Sequence, residues 1–497
     1  MKILSSTVHN VDVLVIGAGQ AGICAAYELQ KRGFTGFAES LGADDGVTKR
    51  RKKPALGTFV VLDAEEAPGG AWQHRWPTLT MATVNHIADL PGQPVEEMDP
   101  CSPARIFVPA YFAEFEYEND LPILRPVRVY AVTNAAAMNA ADGSSADSSS
   151  TGGFSADGFS ADGSSAGAAA MPETAVIDGA DAESDVDTAT VADNADATSG
   201  AISDRILGDH ADGVGALAGG VSVSAGRPVV HSSQHSAQQH LERQEEQPRG
   251  LLEAHTSAGI WRARFIINCT GTWQSPFVPY ISGAEKFRGQ QYHTQTYPGP
   301  ERFWKQRVLV VGGGVSAINH VEELASEAKK VRWVTRTPPR WRKQTSGASQ
   351  RGWGLAPEAG RDVEAQVRAR AEAGLPPLPV VAHTGLPLTE HVQELRKKGV
   401  LKRRPMFDSL DADGAWWGSK HENFDAIIWA TGFRHNLRHL RPLRLRSPLG
   451  GIQMEGVHTA LDPRIYLIGY GSSASTVGAR RDARIAAREI KQQITQR

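Results

Sequence analysis

One local pattern occurs twice and limits this chain more than any other feature: a buried strand running into a glycine-rich turn that opens a helix. The first copy begins with VDVLVI, Val11–Ile16, followed by Gly17-Ala18-Gly19-Gln20-Ala21-Gly22 and the helical stretch AGICAAYELQKRG. A continuous apolar, β-branched run suits a strand covered on both faces, as in a parallel sheet. Gly17 permits a tight turn, Gly19 lets the backbone approach a ligand, and Gly22 lets helix and strand pack closely. The helix N-terminus adds unpaired N–H groups and the positive end of its dipole, a natural seat for phosphate. Gly33 reads as the helix stop. Strand character returns at Thr58–Leu62 and ends at Asp63, which completes a β–α–β unit; the polar stretch Phe34–Leu56 between reads as a loop insertion.

The second copy is RVLVV, then Gly312-Gly313-Gly314-Val315-Ser316-Ala317 and a helix. Ala317 replaces the third glycine, where only a small residue is needed. The strand that follows, VRWVTR, ends in Arg336 where the first unit ends in an acid. A carboxylate at Asp63 can accept hydrogen bonds from both hydroxyls of a ribose, whereas a cation at Arg336, assisted by Arg340 and Arg342, suits a 2′-phosphate. The alternative for Arg336 is an exposed basic loop. Two dinucleotide cradles, one acid-ended and one arginine-ended, predict FAD at the first and NADPH at the second. The expected fold class is α/β, with two Rossmann-like dinucleotide-binding domains.

Composition excludes several other classes. The formal net charge of −2 gives no electrostatic case for nucleic acid, and the basic cluster Lys49–Lys53 reads as a solvated loop. Three cysteines, Cys24, Cys101 and Cys269, stand far apart with no Cys-x-x-Cys, so neither a local dithiol pair nor a zinc knuckle is encoded; no metal site is expected. No apolar run approaches the roughly 20 residues needed to cross a bilayer, and the N-terminus carries no charged-then-apolar leader. The expectation is a cytoplasmic protein that is not transmembrane. Nothing here fixes an oligomeric state, and a homodimer is compatible with the sequence.

The stretch from Asn134 to Gly250 is rich in Ala, Ser, Asp and Gly and contains FSADGFSADG. So few large apolar residues cannot offset the entropy of ordering, and disorder is expected. It separates RPVRVYAV from GIWRARFIINCTG, which would otherwise pair as neighbouring strands. Thr345–Leu401 reads only as loop and helix, and FDAIIWATGF and PRIYLIGYG read as further strands before a last helix, GARRDARIAAREIKQQI. The resulting partition is an FAD-domain segment over 1–133, a low-complexity insert over 134–250, a second FAD-domain segment with a linker over 251–300, an NADPH domain over 301–422, and a third FAD-domain segment over 423–497.

With these motifs in place the chain resembles the flavin-containing monooxygenases, within the wider group of two-dinucleotide flavoproteins that includes the pyridine nucleotide–disulfide reductases. Gly69-Gly70-Ala71-Trp72 is similar to that family's G-G-x-W loop beside the flavin ring. Val129 stands where the family touches adenine through its backbone. Thr270-Gly271 and Thr431-Gly432 resemble the paired turns where the chain passes between domains, and Gly469 and Gly471 the turn that sets a helix N-terminus against the flavin. Phe287, Gly289, His293 and Tyr297 satisfy F-x-G-x-x-x-H-x-x-x-[YFW], the family's link between its two domains. The segment therefore predicts a positional role for His293, not proton transfer or metal ligation.

The resemblance implies an FAD-dependent, NADPH-consuming monooxygenase acting with O2 on a small-molecule substrate through a C4a-peroxyflavin, and the terminal Tyr297 leans toward N- or S-oxygenation. Asn85 is the candidate for the oxygenases' active-site asparagine, or equally a residue that caps its own loop. The disulfide reductases' Cys-x-x-Cys is absent, and Gly471 is followed by Ser472 where they carry Asp. Two alternatives stay open. One is a flavin NAD(P)H oxidoreductase that passes electrons to a quinone or protein acceptor. The other is a non-catalytic flavoprotein redox sensor linked to membrane transport.

Overall fold

The first apolar run does become a strand buried on both faces. In the computed structural model, which describes residues 7–37, 55–84, 87–95, 99–135, 250–343 and 357–496, β1 (Val8–Ile16) lies inside a sheet of ten strands among those residues. It pairs in parallel with β3 (Gly57–Leu62) on one side and β7 (Gly259–Asn268) on the other. Its side chains alternate as a strand requires. Val13 and Val15 enter one core with Phe59, Val61, Phe265 and Ile267, while Leu14 and Ile16 enter another with Val60, Leu62 and Ile266. Each such fully buried aliphatic side chain contributes roughly 1.5–3 kcal/mol. One inserted residue would exchange the two sets, so the register is firmly fixed.

The first face is covered by α1 (Gln20–Lys31) and by the C-terminal helix Thr476–Thr495. Their small residues Ala25, Ala26, Ala483, Ala486 and Ala487 share its core. Two sequence expectations need correction here. Phe34 to Leu56 is not all loop, because β2 (Phe34–Gly36) adds to the sheet edge in parallel with β3; residues 38–54 lie outside the described residues. Nor do RPVRVYAV and GIWRARFIIN pair directly. β5 (Val129–Asn134) pairs with β6 (Leu252–Thr256), which turns back as a hairpin onto β7, so an extra strand stands between them. Of the stretch 134–250 expected to be disordered, Asn134 instead ends β5, and residues 136–249 lie outside the described residues.

The second sheet is all parallel. β8 (Gln290–His293) is its edge, followed by the strand Ala426–Trp429, β9 (Arg307–Val311), β10 (Lys330–Thr335) and the strand Arg403–Pro405. Two of these strands fall outside the 301–422 expected for the NADPH domain. Ala426–Trp429 belongs to this sheet and not to the FAD-domain segment over 423–497, and the linker itself supplies β8. Val308, Val310 and Ile428 face the helix Val315–Leu324, while Leu309, Val311, Ile427 and Trp429 face Phe287, Phe407 and Phe424. Thr345–Leu401 yields helices at Pro357–Glu372, Val380–Thr384 and Glu390–Lys397, and one short strand, Leu386–Leu388, beside Trp341–Lys343. No helix among the described residues is long and apolar enough to cross a membrane.

Candidate functional site

Both glycine turns are built alike at the atomic level. A Cβ added to Gly17 would stand 2.8 Å from the Cys269 carbonyl oxygen, and one added to Gly312 would stand 2.1 Å from that of Ala430. Cys269 and Ala430 each precede a Thr-Gly turn, so each glycine loop lies directly on the crossing that leaves its neighbouring strand. A Cβ on Gly22 would come within 1.8 Å of Gly17 O, and its counterpart Ala317 is fully buried. Gly19 and Gly314, by contrast, face open space, with nothing within 4 Å of an added Cβ. They are the N-caps of helices Gln20–Lys31 and Val315–Leu324, and neither supplies a side-chain cap. Uncapped helix N-termini behind an open glycine face fit a pyrophosphate in both places. Ala21 and the half-exposed Ser316 lie in the two first turns, and Gln20 is turned aside to donate to Ala88 O at 3.1 Å.

The acid and the arginine end their strands as expected, in different settings. Asp63 is buried, and its Oδ2 accepts from Arg125 Nε at 2.7 Å while the rest of that guanidinium forks onto Glu116 at 2.7 and 2.8 Å. The ion pair orients the carboxylate through its Oδ2. Arg336 is exposed and meets no carboxylate among the described residues. Its neighbour Thr335 is fixed by Arg403, which donates to the hydroxyl at 2.7 Å and to the carbonyl at 3.1 Å. Arg340 is exposed, and its Nη2 donates to the carbonyls of Ala382 and His383. Arg342 is half-buried, and burial lowers its pKa.

Between the two sheets the chain crosses twice, and the crossings are stitched together. Thr270 Oγ1 donates to Asn436 O at 2.6 Å, and Asn436 N donates to Gly271 O at 3.0 Å. Arg434 N donates to Ser275 O at 2.8 Å, and the Thr431 hydroxyl donates to Phe277 O. The 287–297 segment locks onto this pair. Phe287 lies in the core on one face of the second sheet, its ring over Gly289, where a Cβ would come within 2.4 Å of it. Tyr297 lies in the core on the opposite face, stacked on Phe303 at 5.8 Å and against His320 at 4.1 Å. His293 ends β8 with both ring nitrogens bonded to the backbone: Nδ1 accepts from Gln295 N, and Nε2 donates to Gly432 O. Burial holds its pKa below the ordinary value.

Gly70 lies against the first cradle, where its added Cβ would be 3.0 Å from Gly19 Cα, and it opens the short helix that carries Trp72. Val129 opens β5, half-buried. Gly469 and Gly471 both adopt positive φ, 88° and 60°, just before the helix that begins at Thr476. Asn85 lies outside the described residues. A residue without any signal in the sequence is Arg75, whose guanidinium stands between Trp72 and Trp273 at 5.1 and 4.3 Å from the ring centres. No local spacing marks it, since Trp273 arrives from the first crossing. The thiols of Cys24 and Cys269 are buried, and burial pushes the first up to about 12 and the second higher as well. Neither is a ready thiolate. No group of three or more metal-ligating side chains gathers among the described residues.

The model of the pyridine nucleotide-disulphide oxidoreductase family matches residues 238–365. The flavin-containing monooxygenase of Stenotrophomonas maltophilia shares the fold, with a TM-score of 0.58 at 24% identity over 98% of this chain and 99% of that one. In fold, then, the chain is similar to a flavin-containing monooxygenase. In sequence it is 26% identical over 257 residues to the FAD-binding monooxygenase ktnD of Aspergillus niger, covering 43% of this chain and 41% of that protein. It is also 40% identical over 79 residues to a cyclopentanone 1,2-monooxygenase of Comamonas, covering 16% and 14%. The matches span well under two thirds of either relative.

Proposed function

We propose that the protein is an FAD-dependent, NADPH-consuming monooxygenase that inserts one oxygen atom of O2 into a small organic substrate, N- or S-oxygenation being favoured, and that it works in the cytoplasm. The observation that carries this reading is the 287–297 segment. Its four fixed residues bind both faces of the second sheet and the second crossing, which is the position a link between two cofactor domains requires. Bound FAD would supply the hydride acceptance and O2 activation that no side chain provides. The chain's own task is placement and exclusion of water.

On this reading Gly19 and the first turn of its helix receive the FAD pyrophosphate, Asp63 holds the adenosine ribose, and Gly314, Ser316 and Arg336 hold NADPH by its phosphates. Trp273, just after the first crossing, stacks on Phe433, just after the second, at 4.9 Å. The buried Cys24 and Cys269 offer no dithiol for an alternative route. The proposed domain partition keeps five segments, with the linker strand and Ala426–Trp429 assigned to the NADPH domain. The test is a stoichiometry: supply NADPH and O2 with a panel of thioethers and tertiary amines, then count NADPH consumed against oxygenated product, H2O2 and reduced quinone. Product tracking NADPH supports the oxygenase. Electrons recovered only as peroxide or hydroquinone would replace it with the oxidoreductase reading, and no NADPH consumption would leave the sensor.

A further inference from the structure

The helix Val315–Leu324 has the second glycine turn at its start and Glu323 in its last turn. From there Glu323 reaches out of its own sheet: Oε1 accepts from Trp76 Nε1 at 3.2 Å. This bond joins the first segment of the chain directly to the helix of the second cradle, without passing through either crossing. Trp76 is buried, with its ring edge-on to His320 of the same helix at 5.0 Å. Around the bond, polar groups stand idle. Glu323 Oε2, the Thr78 and Tyr297 hydroxyls and His320 Nδ1 are all buried and make no hydrogen bond. Thr78 and Tyr297 nevertheless both face the Glu323 carboxyl, and Tyr297 lies on His320 at 4.1 Å. Buried polar atoms normally find partners, because an unpaired one has lost its water for nothing. No Lys, Arg or His forms an ion pair with Glu323 among the described residues. A carboxylate in a last turn also faces the negative end of the helix dipole, and burial raises its pKa. The neutral acid is thereby favoured, and it has a hydroxyl to donate. The junction is held by one bond and carries the groups for more.

Each side of this junction leads to a cradle. Glu323 and the N-cap Gly314 belong to one short helix, so a shift at the second seat is felt at the carboxyl. Trp76 comes just after the short helix Gly70–His74, whose first residue lies against Gly19 of the first seat. Tyr297 ends the linker segment between them. We propose that Glu323 is a positioning residue that couples the two dinucleotide seats. A ligand settling at Gly314 draws the helix and its carboxyl onto Trp76, Thr78 and Tyr297, and this firms the loop that lies against Gly19. The coupling rests on FAD at the first cradle and NADPH at the second, and on no step of oxygen transfer.

Flavin release from the full chain tests this without turnover. FAD-loaded protein is diluted into buffer with or without saturating NADP⁺, and free FAD is followed by its fluorescence. The wild type is expected to release FAD at least fivefold more slowly with NADP⁺ present. In Glu323→Ala that ratio should fall toward one, while release without NADP⁺ stays within twofold of the wild-type rate. A merely weakened fold would speed release in both buffers and leave the ratio alone. Glu323→Gln, which can accept from Trp76 and donate to Tyr297, should keep most of the ratio. Trp76→Phe keeps a ring beside His320 without the N–H and should lose most of it; this variant carries the comparison if Glu323→Ala does not fold. A ratio of one in the wild type overturns the coupling, as does an unaltered ratio in Glu323→Ala or, in its place, Trp76→Phe. Failure of NADP⁺ to bind at all in calorimetry would sink the coenzyme reading and the coupling with it.

Discussion

His293 donates its Nε2 hydrogen to the carbonyl of Gly432 at 2.9 Å, and the same carbonyl accepts from Phe277 N at 3.0 Å. One acceptor therefore joins the linker strand, the first crossing and the second crossing. The tautomer is set by Gln295 N, which donates to Nδ1 at 3.1 Å. With both nitrogens engaged and the ring buried against Phe433, the imidazole is a neutral clamp at neutral pH. His293→Ala is expected to cost about 1–3 kcal/mol, since it strands two buried backbone partners. Chemical denaturation measures that loss, and NADPH oxidation should slow without losing an ionisation from its pH profile. An unchanged stability together with a vanished limb in that profile would give His293 a proton-transfer role instead.

The two glycines of the first cradle should fail in opposite ways. At Gly22 a methyl group meets Gly17 O at 1.8 Å, which only backbone movement can relieve. Gly22→Ala is therefore expected to destabilise the apoprotein by roughly 3 kcal/mol, the upper range of overpacking. Gly19 has φ −73° and empty space around its added Cβ, so Gly19→Ala should leave apoprotein stability intact. It should weaken FAD binding tenfold or more, because the methyl group occupies the approach to the helix N-terminus. Denaturation of the apoprotein and titration with FAD check both. The reverse order of effects would mean that no pyrophosphate lies at Gly19.

Such contrasts show what the sequence could and could not reveal. VDVLVI and RVLVV are legible as buried parallel strands because their apolar residues fill both faces, with Asp12 the one polar residue inside either run, and the glycine spacings follow from the close approaches just described. Leu252–Thr256 is not, because LEAHT alternates polar and apolar over five residues beside a low-complexity stretch. Phe34–Gly36 is three residues long within a polar segment. The placing of Ala426–Trp429 in the second sheet depends on strand order, which apolar periodicity does not encode. The 287–297 spacing is legible as a link, but its cause is not. Phe287 and Tyr297 diverge to opposite faces of a sheet that the segment itself joins, and only the assembled sheet makes that visible. Arg75 has the same obscurity, since its two tryptophans come from loops far apart in the chain.

Arg336 stands exposed at the end of a strand whose last residue, Thr335, is fixed by Arg403. A fixed backbone with a free guanidinium suits selection of a 2′-phosphate, and a charge-assisted contact of this kind is worth about 1.5–3 kcal/mol. Arg336→Ala is expected to lower the preference for NADPH over NADH at least tenfold, mostly through KM. Arg340→Ala should change the preference less, because the Arg340 Nη2 is drawn toward the carbonyls of Ala382 and His383. Steady-state kinetics with both coenzymes decide the matter. An unaltered ratio in Arg336→Ala would return this residue to the status of a solvated loop.

Acid should unfold the protein through histidines that the core keeps neutral. Burial lowers the pKa of His320 to about 3 and that of His439 to about 4. His320 is closed in by Tyr297 and Trp76, and His439 Nε2 bonds Asn268 Oδ1 at 2.7 Å. Their folded pKa values lie below the unfolded value of about 6.5. Their stabilising contribution is therefore complete above about pH 6.5 and is lost as pH falls toward the folded values. By pH 5 each removes about 2 kcal/mol, from roughly 1.36 kcal/mol per unit over the interval from about 6.5. Glu323 works in the other direction: burial raises its carboxyl pKa, so the penalty for ionising it is relieved as pH falls. The wild-type slope is the net of these, and a variant isolates one contribution. His439→Gln, which can still reach Asn268, is expected to flatten the loss of stability between about pH 7.5 and 5 by about 2 kcal/mol in chemical denaturation. An identical slope in wild type and variant would mean that His439 becomes protonated in the folded state without cost.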